Sequence, residues 1–215
     1  MLEASWEPFC TQLANANTDD ELIQVLESLV STFKIDLSVP ASVVFGHDTR
    51  PSCPQLVKAL VDGLASFGTH MIEAGLKTTP QLHYLVKAHN TAGTDDPYGE
   101  PSEEGYYQKL SKAYLKLVEG KSSISPLTVD CANGVGAPAL LALSKHIPSS
   151  ALPLRILRTA TDEKGALNSG CGADYVKSNQ RLPLGFEKEG GIQPGDRLCS
   201  FDGDADRIIF YYCRG

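Results

Sequence analysis

Three carboxylates stand at alternate positions near the carboxyl end of the chain: Asp202, Asp204 and Asp206. Like charges this close repel one another unless a cation lies among them, and hard carboxylate oxygens suit Mg²⁺, Mn²⁺ or Ca²⁺ better than zinc. Mg²⁺ seldom takes all its ligands from protein and usually keeps waters or a phosphate oxygen. The spacing therefore predicts a magnesium site that also meets a phosphoryl group. A solvated acidic turn between two strands is the alternative.

Two familiar aspartate motifs do not fit this segment. An EF-hand loop that starts at Asp202 needs Gly at its sixth position and Glu at its twelfth, where this chain has Arg207 and Cys213. The strand and D-x-D-x-T/V motif of haloacid dehalogenase-type phosphatases has Thr or Val where this chain has Asp206. Neither motif explains the segment.

Two arginines are candidate phosphate contacts. Arg207 directly follows the third aspartate, and it would either bind a phosphate oxygen or form an ion pair that relieves the acidic loop. Arg50 lies between a predicted strand and a predicted helix, which is where open α/β sheets bind their ligands. A local pair between Asp48 and Arg50 is the alternative there.

The turn at Asn133-Gly134-Val135-Gly136 follows a predicted strand and opens a predicted helix. Its backbone amides could cradle a phosphate, but it is a poor dinucleotide fingerprint because Ala139 occupies the third glycine position. A tight strand-to-helix turn is the other interpretation. No Ser/His/Asp or Cys/His arrangement can be assembled from the remaining residues.

Alternating strands and helices must position these groups. Ala41–Phe45 and Thr69–Ala74 are short apolar runs typical of buried strands, and a helix opened by Pro51 or Pro54 separates them. Strand, helix and strand in this order predict a parallel βαβ unit. Before it, Thr18–Glu21 reads as a capping box that opens a helix.

The pattern restarts after a linker at Gly120–Pro126. Two helices precede the linker, one starting at Thr79-Pro80 and one capped by Ser102, and a helix over Gly136–His146 follows it. We predict two α/β domains, over residues 1–122 and 123–215. Four strands are expected in the second: Leu127–Cys131, Leu154–Leu157, Arg197–Phe201 and Ile208–Tyr212.

Composition excludes several classes of protein. The 215 residues carry 19 basic and 26 acidic side chains, a net charge of −7, which argues against nucleic-acid or anionic-membrane partners. No apolar run approaches the roughly 20 residues that span a bilayer. The amino terminus lacks the pattern of a signal peptide, so a cytoplasmic location is expected. Six scattered cysteines without a C-x-x-C pair predict reduced, mostly buried thiols.

Several motifs together resemble the α-D-phosphohexomutase superfamily. Val129–Gly136, Cys171–Lys177 and Phe201–Arg207 are similar to segments found throughout that superfamily. Gly75–Tyr84 and Glu104–Lys112 are similar to the phosphoacetylglucosamine mutase branch in particular. The resemblance runs from about residue 43 to residue 212 and implies mixed, mostly parallel sheets with flanking helices, in two consecutive phosphohexomutase-type domains of which the first is incomplete.

The resemblance also implies a chemistry. Such mutases interconvert N-acetylglucosamine 6-phosphate and 1-phosphate, on the route to UDP-N-acetylglucosamine, through a phosphoserine and a sugar 1,6-bisphosphate. By this resemblance Asp202, Asp204 and Asp206 hold one Mg²⁺, and a small sugar phosphate is the ligand. Substrate preference within the superfamily, including phosphoglucomutase or phosphomannomutase activity, is left open.

The family's T-A-S-H-N-P serine loop has no counterpart here, since no Ser-His dipeptide occurs in the sequence. We therefore expect a chain truncated at both ends, without a catalytic nucleophile and inactive alone. A non-catalytic regulatory or binding fragment, associated with a full-length mutase, is the second hypothesis.

Overall fold

The computed structural model describes residues 3–121, 124–186 and 191–214. It forms two compact units, one over residues 1–41 and one over residues 42–215. A parallel sheet and a mixed, mostly parallel sheet, both with flanking helices, confirm the predicted fold class. None of the described helices combines the length and the apolar character needed to cross a membrane.

The first unit consists of helix α1 (Glu3–Asn15) and helix α2 (Asp19–Phe33), which meet where the Phe9 and Phe33 rings lie 5.7 Å apart. The predicted N-cap is confirmed, because the Thr18 hydroxyl accepts a hydrogen bond from the Glu21 amide at 3.2 Å. The second hydrogen bond of the predicted capping box differs from the prediction. The Glu21 carboxylate accepts from the amide of Asn17, one residue earlier than a capping box requires.

The second unit begins with the predicted βαβ motif. Strand β1 (Ser42–His47) and strand β2 (His70–Leu76) pair in parallel, and helix α3 (Cys53–Ser66) connects them. The two strands form a sheet of their own within the described residues. Helix α3 has no buried residue, so this layer is only partly covered.

Two helices then pack beside this small sheet. Helix α4 (Thr79–Thr91) begins with a complete capping box between Thr78 and Gln81, and helix α5 (Glu103–Val118) is capped by Ser102 as expected. Three side chains of α4 form the local core with partly buried neighbours from both strands and from the aromatic residues before and within α5: Tyr84, Leu85 and Ala88.

The larger sheet follows in the order β4-β3-β5-β6. Its parallel strands are β3 (Leu127–Asp130), β4 (Leu154–Leu157) and β5 (Arg197–Phe201), and β6 (Ile208–Tyr212) is antiparallel to β5.

Helix α6 (Gly136–Leu143), three residues shorter than predicted, covers one face of this sheet, and its Ala137 joins Val129, Cys131 and Cys199 in the core. Helix α7 (Ala173–Asn179) packs against β5 and β6 and has no counterpart among the helices predicted from periodicity.

The predicted boundary at residue 122 stays a prediction. Its central linker residues, 122 and 123, lie outside the described residues, and the compact units divide instead after residue 41.

Candidate metal centre

The three aspartates lie together in the short loop that joins β5 to β6. One carboxylate oxygen from each of Asp202, Asp204 and Asp206 lies within 4.8 Å of the others. Asp202 is buried, Asp204 is half-buried and the side chain of Asp206 is 44% exposed. The predicted ligands are therefore brought to one place, open to solvent on the side of Asp206.

Mutual repulsion among its carboxylates makes this cluster a candidate cation site. A hydrogen bond with the Asp202 carboxylate raises the pKa of Asp206 above its usual value, and burial and the charges of Asp202 and Asp204 raise it further, while the charge of Arg207 opposes them. A divalent cation would remove that repulsion, and three hard oxygen donors suit magnesium. The residues present thus fit the ion that the family implies.

Arg207 fixes the innermost carboxylate. Its Nε donates to Asp202 Oδ2 at 2.7 Å, and its backbone amide donates to Asp202 Oδ1 at 3.1 Å. Burial opposes ionisation of Asp202, but these bonds lower the pKa of its carboxyl below the usual value. The two terminal nitrogens of Arg207 donate to both oxygens of Asp174 on α7, at 2.6 and 2.9 Å.

This arrangement is the ion-pair alternative for Arg207. Its guanidinium is engaged by two carboxylates in the structure, and contact with a phosphate stays a prediction. The partner Asp174 was not singled out from the sequence as a site residue, because it lies 33 positions away on a helix that periodicity did not indicate.

The Asn133–Gly136 turn supports the loop of residues 202–207, which is predicted to bind the metal ion and is called the metal loop. The Val135 amide donates to the Gly203 carbonyl at 3.1 Å, and a Cβ added at Gly134 would collide with that same carbonyl. The turn is therefore the predicted tight strand-to-helix connection, and glycine is needed because the backbone at Gly203 passes directly over it.

A buried carboxylate beneath the loop was not predicted. Asp130, at the end of β3, accepts hydrogen bonds from the amides of Ala132 at 2.9 Å and Gly172 at 2.7 Å, and from the Ser200 hydroxyl at 2.8 Å. Burial raises its pKa, although these bonds and the charge of Arg158 oppose that effect. It ties β3, β5 and the segment before α7 together. The signal that could have identified it is its position as an acid at the end of an apolar strand.

Arg50 reaches the metal loop from the other sheet. Its NH1 lies 3.1 Å from Asp48 Oδ2, which is the local pair considered above, and its NH2 lies 3.4 Å from Asp204 Oδ2. The side chain is 52% exposed and borders a cleft of about 310 Å³. The structure thus brings Arg50 to the acidic loop, while its role as a phosphate contact stays a prediction.

The start of α4 contacts the same loop and is joined to α5 by a polar network. The Thr79 amide donates to the Asp204 carbonyl at 3.4 Å. Just before it, Lys77 Nζ lies 2.9 Å from Glu103 Oε2, and Tyr107 donates to Glu103 Oε1 at 2.8 Å. Burial opposes ionisation of Glu103, but these bonds lower its pKa below the usual value. Sequence reasoning did not find this network, because it joins segments that are distant in the sequence: Lys77 lies just before α4, and Glu103 lies on α5.

Family models and known proteins match this chain. Residues 100–209 match the family model of phosphoacetylglucosamine mutase AMG1, domain II, and residues 12–94 match that of phosphoglucomutase/phosphomannomutase, alpha/beta/alpha domain I. The phosphoacetylglucosamine mutases of Sus scrofa and Homo sapiens are each 44% identical to 99% of this chain.

A crystal structure of Aspergillus fumigatus N-acetylphosphoglucosamine mutase, in complex with GlcNAc-6P and magnesium, is 42% identical and superposes over the whole chain with a TM-score of 0.83. The chain spans 38% of the length of the two mammalian relatives and 39% of the fungal one. By its domain II match and by these relatives, the chain belongs to the phosphoacetylglucosamine mutase family of the α-D-phosphohexomutase superfamily.

Proposed function

We propose that this chain supplies the magnesium-binding part of a phosphoacetylglucosamine mutase. The observation that carries the proposal is the cluster of Asp202, Asp204 and Asp206, whose carboxylate oxygens converge within 4.8 Å. The fungal relative described with GlcNAc-6P and magnesium supports it, since that protein is 42% identical over the whole chain. The proposed reaction class is isomerisation of a sugar phosphate by phosphoryl transfer.

The three aspartates and the two arginines have distinct tasks in this proposal. The three aspartates hold the ion, Arg207 orients the Asp202 carboxylate, and Arg50 lies beside Asp204, where a phosphate oxygen would add to the shell. When bound, Mg²⁺ neutralises charge on a phosphoryl group during in-line transfer. Catalysis of this kind depends on position and charge, which this part of the fold provides.

The finer proposal is interconversion of N-acetylglucosamine 6-phosphate and 1-phosphate through a phosphoserine and a 1,6-bisphosphate. The 215 residues contain no Ser-His dipeptide, and hence no counterpart of the family's serine loop. We therefore propose that this chain alone binds the metal without turning over the sugar phosphate. A cytoplasmic location remains part of this proposal.

Two measurements test this function separately. Mn²⁺ titration of the chain should show one weak site that is lost in Asp204→Asn and kept in the matched control Asp62→Asn, an exposed acid of α3. Equal binding in all three proteins would reduce the loop to a structural turn. A coupled assay of 6-phosphate to 1-phosphate conversion should show no turnover, and activity that Asp204→Ala abolishes would contradict the inactivity of the isolated chain.

The β1–β2 layer favours a second role, association with a full-length mutase. Parallel sheets are normally covered on both faces, yet this sheet has two strands, and α3 leaves Leu56 64% exposed and Leu60 41% exposed. Such a layer gains stability when another polypeptide covers it. Co-purification with a tagged full-length relative, weakened by Leu56→Lys, supports this role, and failure to co-purify contradicts it.

A further inference from the structure

A single buried carboxylate connects three segments that contact the metal loop. Asp130 is the last residue of β3 and is fully buried. Its Oδ1 accepts a hydrogen bond from the Ala132 amide, and its Oδ2 accepts from the Gly172 amide and from the Ser200 hydroxyl. These three donors belong to three different segments, and each segment leads to the metal loop by its own route.

The shortest route runs through Ser200, which stands two positions before Asp202. Its hydroxyl has one proton, which it donates to the Asp130 carboxylate at 2.8 Å. At its other contact, also at 2.8 Å, it therefore accepts from the Tyr211 hydroxyl. The end of β5 is thus held from both sides just before Asp202.

The second route runs through Gly172 and α7. The Gly172 amide lies 2.7 Å from Asp130 Oδ2, and this residue directly precedes α7. In the first turn of that helix, Asp174 accepts hydrogen bonds from both terminal nitrogens of Arg207. Arg207 in turn donates through Nε to Asp202 at 2.7 Å. The position of α7 therefore bears on the innermost carboxylate of the metal loop.

The third route runs through Ala132 and the turn that follows it. Ala132 is fully buried and has a positive φ of 55°, a conformation that persists in a non-glycine residue only when its surroundings impose it. Its amide is held by Asp130 Oδ1 at 2.9 Å. The turn over residues 133–136 begins there, and its Val135 amide donates to the Gly203 carbonyl at 3.1 Å. The middle of the metal loop is therefore held by a turn that starts at Asp130.

We propose that Asp130 is a positioning residue of the metal centre, which acts through these three segments and is not itself a ligand. The inference rests on the proposed magnesium-binding role of the loop. An ionised carboxylate is a pure acceptor and can satisfy all three donors. Asp130→Asn keeps the shape of the side chain, but its NH₂ group must face at least one backbone amide, either that of Ala132 or that of Gly172. That amide then loses its acceptor, and the segment that carries it is released.

Mn²⁺ titration of the whole chain, with urea unfolding, tests this role against a purely structural one. Asp130→Asn should lower the urea midpoint and weaken Mn²⁺ binding about tenfold. The matched control Val129→Ala removes methyl groups from the neighbouring core position, which is 2% exposed, and should lower the urea midpoint without changing Mn²⁺ affinity. Wild-type affinity in Asp130→Asn, or an equal loss of affinity in Val129→Ala, overturns the proposal. If Asp130→Asn does not fold, Ser200→Ala decides: it removes one of the three bonds and should weaken Mn²⁺ binding about threefold, and wild-type affinity there overturns the proposal.

Amide resonances of the metal-free chain separate this inference from the proposed metal role. In EDTA the Val135 amide donates to the Gly203 carbonyl and the Arg207 amide donates to Asp202 Oδ1, so their proton shifts report whether the loop is held. At least one of them should move upfield in Asp130→Asn, or in the serine variant if that protein is needed, and both should stay in place in the control variant. Unchanged resonances overturn the positioning role. A wild type that binds no Mn²⁺ contradicts the metal role alone, because the resonances still decide whether Asp130 positions the loop.

Discussion

Replacing Asp206 with Asn should change stability and metal binding in opposite directions. Without a cation, the Asp206 carboxylate faces two like charges, Asp202 and Asp204, with oxygens within 4.8 Å. It has one favourable neighbour, the Arg207 Nε at 3.6 Å. Two repulsions against one attraction leave about one repulsion uncompensated, and an amide of the same shape removes it.

The magnitude follows from the exposure of the side chain. At 4.8 Å two unit charges in a water-like dielectric interact by about 0.9 kcal/mol. This weak, water-screened value of the repulsion is the appropriate one because the Asp206 side chain is 44% exposed. Asp206→Asn should therefore raise the free energy of unfolding of the metal-free chain by up to about 1 kcal/mol. It should also weaken Mn²⁺ binding at least tenfold, which is about 1.4 kcal/mol, because one anionic ligand of three is lost.

Urea unfolding in EDTA and calorimetric Mn²⁺ titration measure the two effects on the same proteins. Asp62→Asn, which removes an exposed acid paired with Lys58, should lower stability slightly and leave metal binding unchanged. If Asp206→Asn instead destabilises the metal-free chain and binds Mn²⁺ as the wild type does, Asp206 is a structural partner of Arg207 and the reasoning fails.

Three further outcomes can be measured on the same chain. Gly134→Ala should cost about 1–3 kcal/mol in urea unfolding and also weaken Mn²⁺ binding, because the new methyl group displaces Gly203; unchanged binding would contradict the link between turn and loop. The pKa of Glu103 is lowered in the folded state, so its ionised carboxylate stabilises the fold fully above pH 4.5 and progressively less as the pH falls through the folded-state pKa. The difference in unfolding free energy between wild type and Glu103→Gln should disappear over the same pH range, and a difference that stays constant in acid would contradict this. Burial raises the pKa of the thiols of Cys131, Cys171 and Cys199. Thiol titration of the native chain should therefore leave these three cysteines unreacted until urea is added, and their rapid reaction would contradict this burial.

The three-aspartate cluster was predictable from the sequence because its geometry is local. Alternate residues in a five-residue loop cannot move far apart, so Asp202, Asp204 and Asp206 were identified without knowledge of the fold. The strands and the capped helices followed from periodicity and from cap residues such as Ser102 and Thr18 for the same reason. Each of these signals is local in the sequence.

The supports of the site were not predictable, because each is a contact between distant segments. Asp174 meets Arg207 across 33 positions, and Asp130 meets Ser200 across 70. No local pattern marks such a partner, and an exposed acid on a short helix looks like any other. Arg207 shows the consequence: its type and position suited a phosphate contact and an ion pair equally, and only the structure shows the ion pair with Asp174 on α7, while the phosphate contact stays a prediction.

The metal loop owes its shape to the protein before any ion binds. Its backbone is held by the Val135 amide on the Gly203 carbonyl and by the Thr79 amide on the Asp204 carbonyl, so two elements outside the loop fix it. Binding free energy is then not consumed in ordering the loop. A carboxylate-to-amide change should consequently lower affinity without altering hydrogen exchange in the loop, whereas Gly134→Ala should alter both. That contrast separates loss of a ligand from loss of the scaffold that presents it.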